Sequence, residues 1–344
     1  MAIAEPDSLE SFLPLRTQAL TARGELVMET GSAILHFDPR GRLLNVMGRS
    51  GSGPGEFIRI STVIALPGDS LVAAVDARRG RIVIFALSDG TLRREVSVAP
   101  FFAVQQSRIV GDTVVMPGKL SDRPFTSWLP RSDSVWRWGE APPIFAKSIQ
   151  AYSQGGEPSI APFEAGWVAL YPADGSLYVL RHDGTPTGVI ALPVRRRVGV
   201  PNDVAERVAK VAKSGRFRYA ASLALGIHRL SDGRYLTIHL DADPDLNLKT
   251  FDPASGGRGI TYSNVRYWVS LLSADLSRAC VDGLMPASAD DIILPIVGND
   301  TVYLLARTVD PAGRLRTVLR SYSVSDAGCD WQPTGGSQPP HRTP

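Results

Sequence analysis

The sequence predicts an all-β fold: a six-bladed β-propeller with four antiparallel strands per blade. Three observations predict it. Apolar residues alternate with period two from end to end, two interleaved series of six turns punctuate the chain, and equivalent turns lie roughly 45–50 residues apart, the length of a four-stranded unit, except where the helical segment and one long loop enlarge the fifth unit. A β-sandwich would not keep two turn series in step.

The strands come first. Ser70–Val75 (SLVAAV), Arg81–Phe85 (RIVIF), Gly166–Tyr171 (GWVALY), Ser176–Leu180 (SLYVL) and Thr301–Ala306 (TVYLLA) are β-branched or aromatic runs. Gly, Asp, Asn and Pro bound them, as they bound strands. Turns between a first and a second strand fall at Arg23-Gly24, Gly68-Asp69, Gly111-Asp112, Ala165-Gly166, Asp232-Gly233 and Asn299-Asp300. Turns between a third and a fourth strand fall at Asp38–Gly41, Asp89-Gly90, Asp133, Asp183-Gly184, Asp275 and Asp326–Gly328.

One segment departs from the alternation. Pro201–Ser214 carries Val204, Val208 and Val211 at helical spacing. Asn202 or Asp203 can cap its start, with Glu206 completing a capping box, and Gly215 ends it. A single inserted helix is therefore expected at 201–214. The expected organisation is an N-terminal extension at 1–12, one propeller domain at 13–331 and a disordered tail at 332–344, where Gly, Pro and Ser accumulate.

Composition narrows the function classes. The chain has 344 residues, 44% hydrophobic and 21% charged, enough for a large core. No apolar run approaches the ~20 residues of a membrane helix. The net charge is +3, and Arg supplies most of the positive charge. The clusters Arg78-Arg79-Gly80-Arg81, Arg93-Arg94 and Arg195–Arg197 are scattered among acids. Nucleic-acid binders concentrate such charge in one stripe, so a nucleic-acid partner is not expected. A protein or small ligand is the expected partner, and the chain is expected to be monomeric unless it belongs to a complex.

The two cysteines, Cys280 and Cys329, fall after third-strand segments of consecutive units, Ser270–Asp275 and Ser321–Asp326. Equivalent outer positions of neighbouring blades lie beyond the ~7 Å Cα limit for a disulfide. Two free thiols are expected.

Gly48–Phe57 (GRSGSGPGEF) carries the most specific motif. Gly53-Pro54-Gly55-Glu56-Phe57 is followed by Asp76, Arg81-Ile82, Phe85 and Asp89-Gly90. At this spacing the chain resembles the six-bladed propellers of the bacterial NHL-like repeat group, most closely over 34–98. The helix after the fourth unit is also similar to bacterial members. The resemblance implies a propeller and a periplasmic or extracellular location. Met1–Phe12 itself has acids and a Pro where a signal peptide needs an apolar stretch. The motif also reads physically: Gly53 and Gly55 permit positive φ and Pro54 stiffens the bend. Glu56 is expected to bond loop amides, and Phe57 to plug the gap between blades. A phosphate cradle at Gly51–Gly55 lacks the Lys-Ser/Thr and the helix it would need.

Catalytic constellations are sparse. His228 and His239 flank the Asp232-Gly233 turn on facing strands, a weak candidate metal pair. Asp241-x-Asp243-x-Asp245-x-Asn247, with Asp252 at position twelve, mimics a calcium loop. Pro244 and Leu246 stand where such loops need flexibility and Gly, so a solvated acidic loop is expected and no cofactor. No Gly-x-Ser-x-Gly elbow occurs.

The long segments point to function. Gly139–Pro158, Pro193–Tyr219 and Asp241–Arg266 all belong to second-to-third loops or unit crossings, which share one face in an up-down blade. Minimal propellers need none of them, and long loops in compact domains carry function. The expected binding surface is this sector of blades three to five, around Tyr152, Arg216, Arg218, Tyr219, Asp241, Asp243, Tyr262 and Tyr267. The function expected is non-catalytic binding or scaffolding. Two alternatives stand beside it: a metal-dependent, lactonase-like hydrolase, and an accessory subunit of a membrane-associated assembly.

Overall fold

The computed structural model of the chain describes residues 2–3, 18–76, 78–98, 107–118, 123–140, 158–171, 176–194, 222–241, 266–285, 295–298, 300–309 and 315–337. In chain order, β1 (Ala2–Ile3) precedes sheet I, made of β2 (Gln18–Leu20), β3 (Leu26–Glu29), β4 (Ile34–Phe37) and β5 (Leu43–Met47). A parallel ribbon of β6 (Arg49–Ser50) and β7 (Glu56–Phe57) follows. Sheet II comprises β8 (Ile60–Ala65), β9 (Leu71–Asp76), β10 (Arg81–Ala86) and β11 (Leu92–Ser97). Sheet III comprises β12 (Arg108–Val110), β13 (Thr113–Pro117), β14 (Phe125–Leu129) and β15 (Ser134–Trp138). Sheet IV comprises β16 (Ser159–Phe163), β17 (Gly166–Leu170), β18 (Leu177–Leu180) and β19 (Pro186–Ala191). Sheet V comprises β20 (Ser222–Arg229), β21 (Tyr235–Asp241), β22 (Arg266–Leu272) and β23 (Arg278–Leu284). Sheet VI comprises β24 (Pro295–Gly298), β25 (Thr301–Val309) and β26 (Leu315–Ser323), with β1 as its fourth strand. Last come β27 (Gln332–Pro333) and β28 (Gly335–Ser337).

The fold is an all-β propeller, and no helix occurs among the described residues. The helix expected at 201–214 lies outside them. Strand pairing gives six sheets of four or five strands. The chain divides into two compact units, 1–139 with 291–324, and 140–290 with 325–344. The first contains sheets I, II, III and VI; the second contains sheets IV and V.

Within each unit, apolar layers form where sheets pack face to face. In the first unit, Leu26, Met28, Leu35 and Phe37 of sheet I meet Leu319 of sheet VI. The opposite face of sheet I gives Val27, Ile34 and Met47 to a cluster with Val63, Val72 and Val83 of sheet II. Sheet II in turn packs Ala73, Val75, Ile82 and Ile84 against Val114, Met116 and Trp128 of sheet III. In the second unit, Val168 and Leu170 of sheet IV join Ile227, Tyr235 and Leu272 of sheet V. The central strands are buried on both faces, which is why β9 and β10 read as nearly continuous apolar runs rather than strict alternation.

All six turns of the first series join a first strand to a second. Five turns of the second series join a third strand to a fourth. The sixth, Asp326–Gly328, does not. Beyond Ser323 the chain leaves sheet VI, whose fourth strand is β1, paired as Ala2↔Val318 and Ile3↔Thr317. It runs instead along the second unit, where Gln332 pairs with Ala279 of β23 and Gly335–Ser337 pair with β19. Ala2–Ile3, Gln332–Pro333 and Gly335–Ser337, at the two ends of the chain, are thus strands added to sheets VI, V and IV.

That path corrects the reading of the cysteines. Cys280 and Cys329 form a disulfide with a Cα–Cα distance of 5.6 Å. The turn series places Cys329 beyond the third strand of sheet VI, at an outer position equivalent to that of Cys280, but the segment that carries it lies against β23, within bonding reach.

The GPGEF motif closes the passage from sheet I to sheet II. Phe57 is fully buried among Val27, Ile34, Met47, Val63 and Phe85, so it fills the space between the two sheets as expected. Glu56 accepts the Gly53 amide at 2.6 Å and pairs with Arg49 at 2.8 Å. Gly55 has φ +70 as expected, whereas Gly53 is not in the left-handed region, and Gly48 (φ +75) and Gly51 (φ +151) carry the other unusual backbone angles of the loop. Arg81, almost wholly buried, binds Glu95 at 2.7 Å and donates to the Gly53 and Glu56 carbonyls. Asp76 accepts the Ile58 amide at 3.0 Å. The motif is a packing device of the fold.

Candidate functional site

Of the eight residues predicted to form the binding surface, the structure describes Asp241 and Tyr267; Tyr152, Arg216, Arg218, Tyr219, Asp243 and Tyr262 lie outside the described residues. Asp241 ends β21 and pairs with Arg266, and Leu240 pairs with Tyr267. Tyr267 is only 8% exposed, so its ring belongs to the packing of sheet V rather than to an open surface. Its carbonyl accepts the Met285 amide at 2.9 Å. Within the calcium-like run, Asp243, Asp245, Asn247 and Asp252 also fall outside the described residues.

The backbone nevertheless shows where the long segments stand. Ser222 pairs with Asp241, and Asp241 pairs with Arg266, so the three lie side by side across β20, β21 and β22. The crossing that ends at Ser222 and the loop 242–265 therefore root at one end of sheet V. The segment before Ser159 enters the neighbouring sheet IV through its first strand, β16. The Ser159 hydroxyl joins that strand to β20, accepting the Ile227 amide at 3.0 Å. Two of the long segments thus root at one end of sheet V, and the third leads from β15 of sheet III into β16 of sheet IV.

His228 and His239 do not come together. His228 pairs with Leu236 and His239 with Ala224, which places them at opposite parts of the β20–β21 ladder. Among the described residues, no group of three or more His, Cys, Asp or Glu side chains could hold a metal ion.

A cleft of about 470 Å³ opens beside the disulfide in the second unit. Leu271 and Val281 give it apolar walls, Asp282 and Asp330 give it carboxylates, and Cys280 and Cys329 both line it. Its shape has a local cause. The β22–β23 register shifts between Val269 and Leu271, and Asp282 takes φ +62 there, as a bulged strand requires. The cleft offers apolar walls, two carboxylates and a half-buried disulfide. Sequence reasoning missed it because it depends on where the chain goes after Ser323.

A second arrangement was equally hidden. His36 is 3% exposed, and its Nε2 stands 3.1 Å from Glu25 Oε2. Arg23 lies 3.6 Å from the same carboxylate and donates to the Asp69 carbonyl at 2.5 Å. These residues tie the β2–β3 turn to the β8–β9 turn.

No family model matches the chain, and no curated protein matches it in sequence. Solved structures do match. A member of the DUF4221 family from Bacteroides vulgatus is 13% identical, with a TM-score of 0.59 over 94% of this chain and 99% of that one. A candidate exported protein from Bacteroides fragilis is 13% identical, with a TM-score of 0.53 over 90% of this chain and 83% of that one. Virginiamycin B lyase from Staphylococcus aureus is 9% identical, with a TM-score of 0.48 over 92% and 86% of the two chains. The first two support the propeller fold and nothing finer.

Proposed function

We propose that the chain is an exported, six-bladed propeller of NHL-like type that binds a protein or small ligand, without catalysis, through the long segments that lead into sheets IV and V. The observation that carries the reading is the Ser222–Asp241–Arg266 row, which roots two of those segments at one end of a rigid sheet. Loops positioned by a rigid scaffold are where binding residues concentrate. Six blades are supported by the packing order, in which sheet VI meets I, I meets II, II meets III, and IV meets V. An exported location is supported by the disulfide between the two cysteines, since such bonds persist in oxidising compartments. The fold neighbour from Bacteroides fragilis is in keeping with it.

Photo-crosslinkers placed at Asp243 and Tyr262, and at Asp232 in the turn at the other end of β21, test the binding surface against an envelope extract of the native host. The proposal expects a discrete adduct from Asp243 and Tyr262. Adducts from Asp232 alone would place binding at the wrong end of sheet V. A stoichiometric divalent cation in the purified protein would favour the lactonase-like reading instead.

A further inference from the structure

The segment after β26 is held in an unusual way. Arg234, beside the β20–β21 turn, bonds Asp326 at 2.9 Å. Cys329 is bonded to Cys280 of β23. Gln332 and Pro333 then pair with Ala279 and Arg278, and the Thr334 amide donates to the Ser277 carbonyl at 3.0 Å. Gly335, Gly336 and Ser337 pair with Ala191, Ile190 and Val189. One strand segment therefore covers the outer edges of two sheets in turn.

Burial does not hold it there. None of the residues 325–335 is buried, and its strands are two and three residues long. Apolar burial is the main source of local stability in a folded chain, so the segment relies on backbone pairing, on a few polar bonds such as Thr334 Oγ1 donating to the Leu276 carbonyl at 2.8 Å and Arg278 donating to the Trp331 carbonyl at 3.3 Å, and on the covalent bond. Both cysteines are half-buried and line the open cleft, where a thiol can reach them.

We propose that the outer edges of β19 and β23 form a strand-accepting surface, filled in this chain by its own segment Gln332–Ser337 and latched by the Cys280–Cys329 bond. When a dithiol opens the latch, the edges accept the same segment from a second copy of the chain. The exchange balances. One thiolate of the dithiol attacks a sulfur of the bond, forming a mixed disulfide, and the other cysteine leaves as a thiolate that takes up a proton. The second thiol of the reagent attacks the mixed disulfide and frees the second cysteine, so the reagent ends as a disulfide and the protein gains two electrons and two protons. The occupant is argued from the register itself. The segment docks by main-chain pairing through Gln332 and Gly335–Ser337, as in strand addition, and by bonds of the Thr334 hydroxyl to the Leu276 carbonyl and of Arg278 to the Trp331 carbonyl, so an identical segment supplied in trans meets the same partners. This proposal does not depend on the long-loop surface.

Hydrogen exchange of the full chain, before and after dithiothreitol, tests the latch. Amides of 330–337 are expected to exchange at least tenfold faster after reduction, while β17 and β21 keep their protection. A labelled peptide of residues 331–338 is expected to bind the reduced chain and not the oxidised one. A chain ending at Asp330, which keeps the bond but lacks the segment, is expected to bind the peptide even when oxidised. Unchanged protection of 330–337 on reduction overturns the latch. Simultaneous loss of protection in β17 and β21 does so too, because the bond is then a staple of the whole fold. Failure of the truncated chain to bind the peptide overturns the strand-accepting surface.

Discussion

The motif residues act through steric fit and local hydrogen bonds, and each can be tested singly. A Cβ on Gly48 would stand 2.4 Å from the Phe57 ring, which is locked in the core between sheets I and II. A Cβ on Gly55 meets nothing closer than 3.6 Å, so there the backbone angle alone resists substitution. Gly48→Ala therefore combines strain with overpacking and is expected to cost about 1–3 kcal/mol or more, and Gly55→Val about 1–3 kcal/mol. Arg40→Ala, on an exposed turn, is expected to stay within about 0.5 kcal/mol. Urea unfolding ranks the three, and equal midpoints for Gly48→Ala and Arg40→Ala would remove the packing role of the loop. The turn aspartates work differently. Asp38, Asp89, Asp183 and Asp275 each accept an amide two residues on, from Arg40, Thr91, Thr185 and Ser277. This is the physical reason that Asp marks the third-to-fourth turns in the sequence. The Ser273 hydroxyl, with the Ser277 amide and hydroxyl, holds the Asp275 carboxyl at about 2, below its usual 3.8. A depressed carboxyl stabilises the fold above its unfolded value and loses that contribution as pH falls toward the folded one. Acid unfolding followed by circular dichroism should therefore show wild type losing its advantage over Asp275→Ala between about pH 4 and 2. A constant difference across that range would show that the carboxylate's charge is not what the turn uses.

At the scale of elements, hairpins were legible and crossings were not. The first turn series was readable because Gly and Asp take left-handed angles there, as at Gly68 (φ +89), Asp69 (φ +50) and Gly233 (φ +88). The sixth turn of the second series carries the same residue types, and Gly328 has φ +78. Local chemistry says that the chain turns at Asp326–Gly328 but not which sheet it turns toward. That single ambiguity misplaced Cys329, and with it both the disulfide and the cleft. The binding surface was legible only as a placement of long segments: Tyr267, at the foot of one of them, is buried in sheet V. The long loop itself can be tested as an element. Asp241 and Arg266 are direct neighbours in the ladder, so a short Gly-Ser turn can bridge them. Closing a shorter loop costs less entropy, about 0.6 kcal/mol for each halving of length. Replacement of 242–265 is expected to leave the melting temperature unchanged or slightly raised. A fall of many degrees would mean that the loop is part of the core, against the binding role proposed for it.

For the whole molecule, the question is how the sheets are held as one propeller. Period-two alternation and turn spacing specify sheets, and the packing of I on both VI and II follows from strands that are apolar on both faces. What no local pattern encodes is closure, because it joins the two ends of the chain. Ala2 and Ile3 pair with Val318 and Thr317, so sheet VI takes its fourth strand from residues over three hundred positions away. Without that strand, β26 would present an unpaired edge along the sheet that packs on sheet I. If the six sheets are blades of one propeller, loss of the closing strand weakens all of them together, since each sheet buries its faces only against its neighbours. Removal of residues 1–3 is therefore expected to lower the unfolding midpoint while leaving a single cooperative transition. Exchange protection in sheet VI and in sheet V reports on the two units separately. Midpoints that fall in step support one cooperative propeller. A midpoint that falls in sheet VI alone, with sheet V unmoved, would show that the two units unfold independently and that the closing strand stabilises only its own.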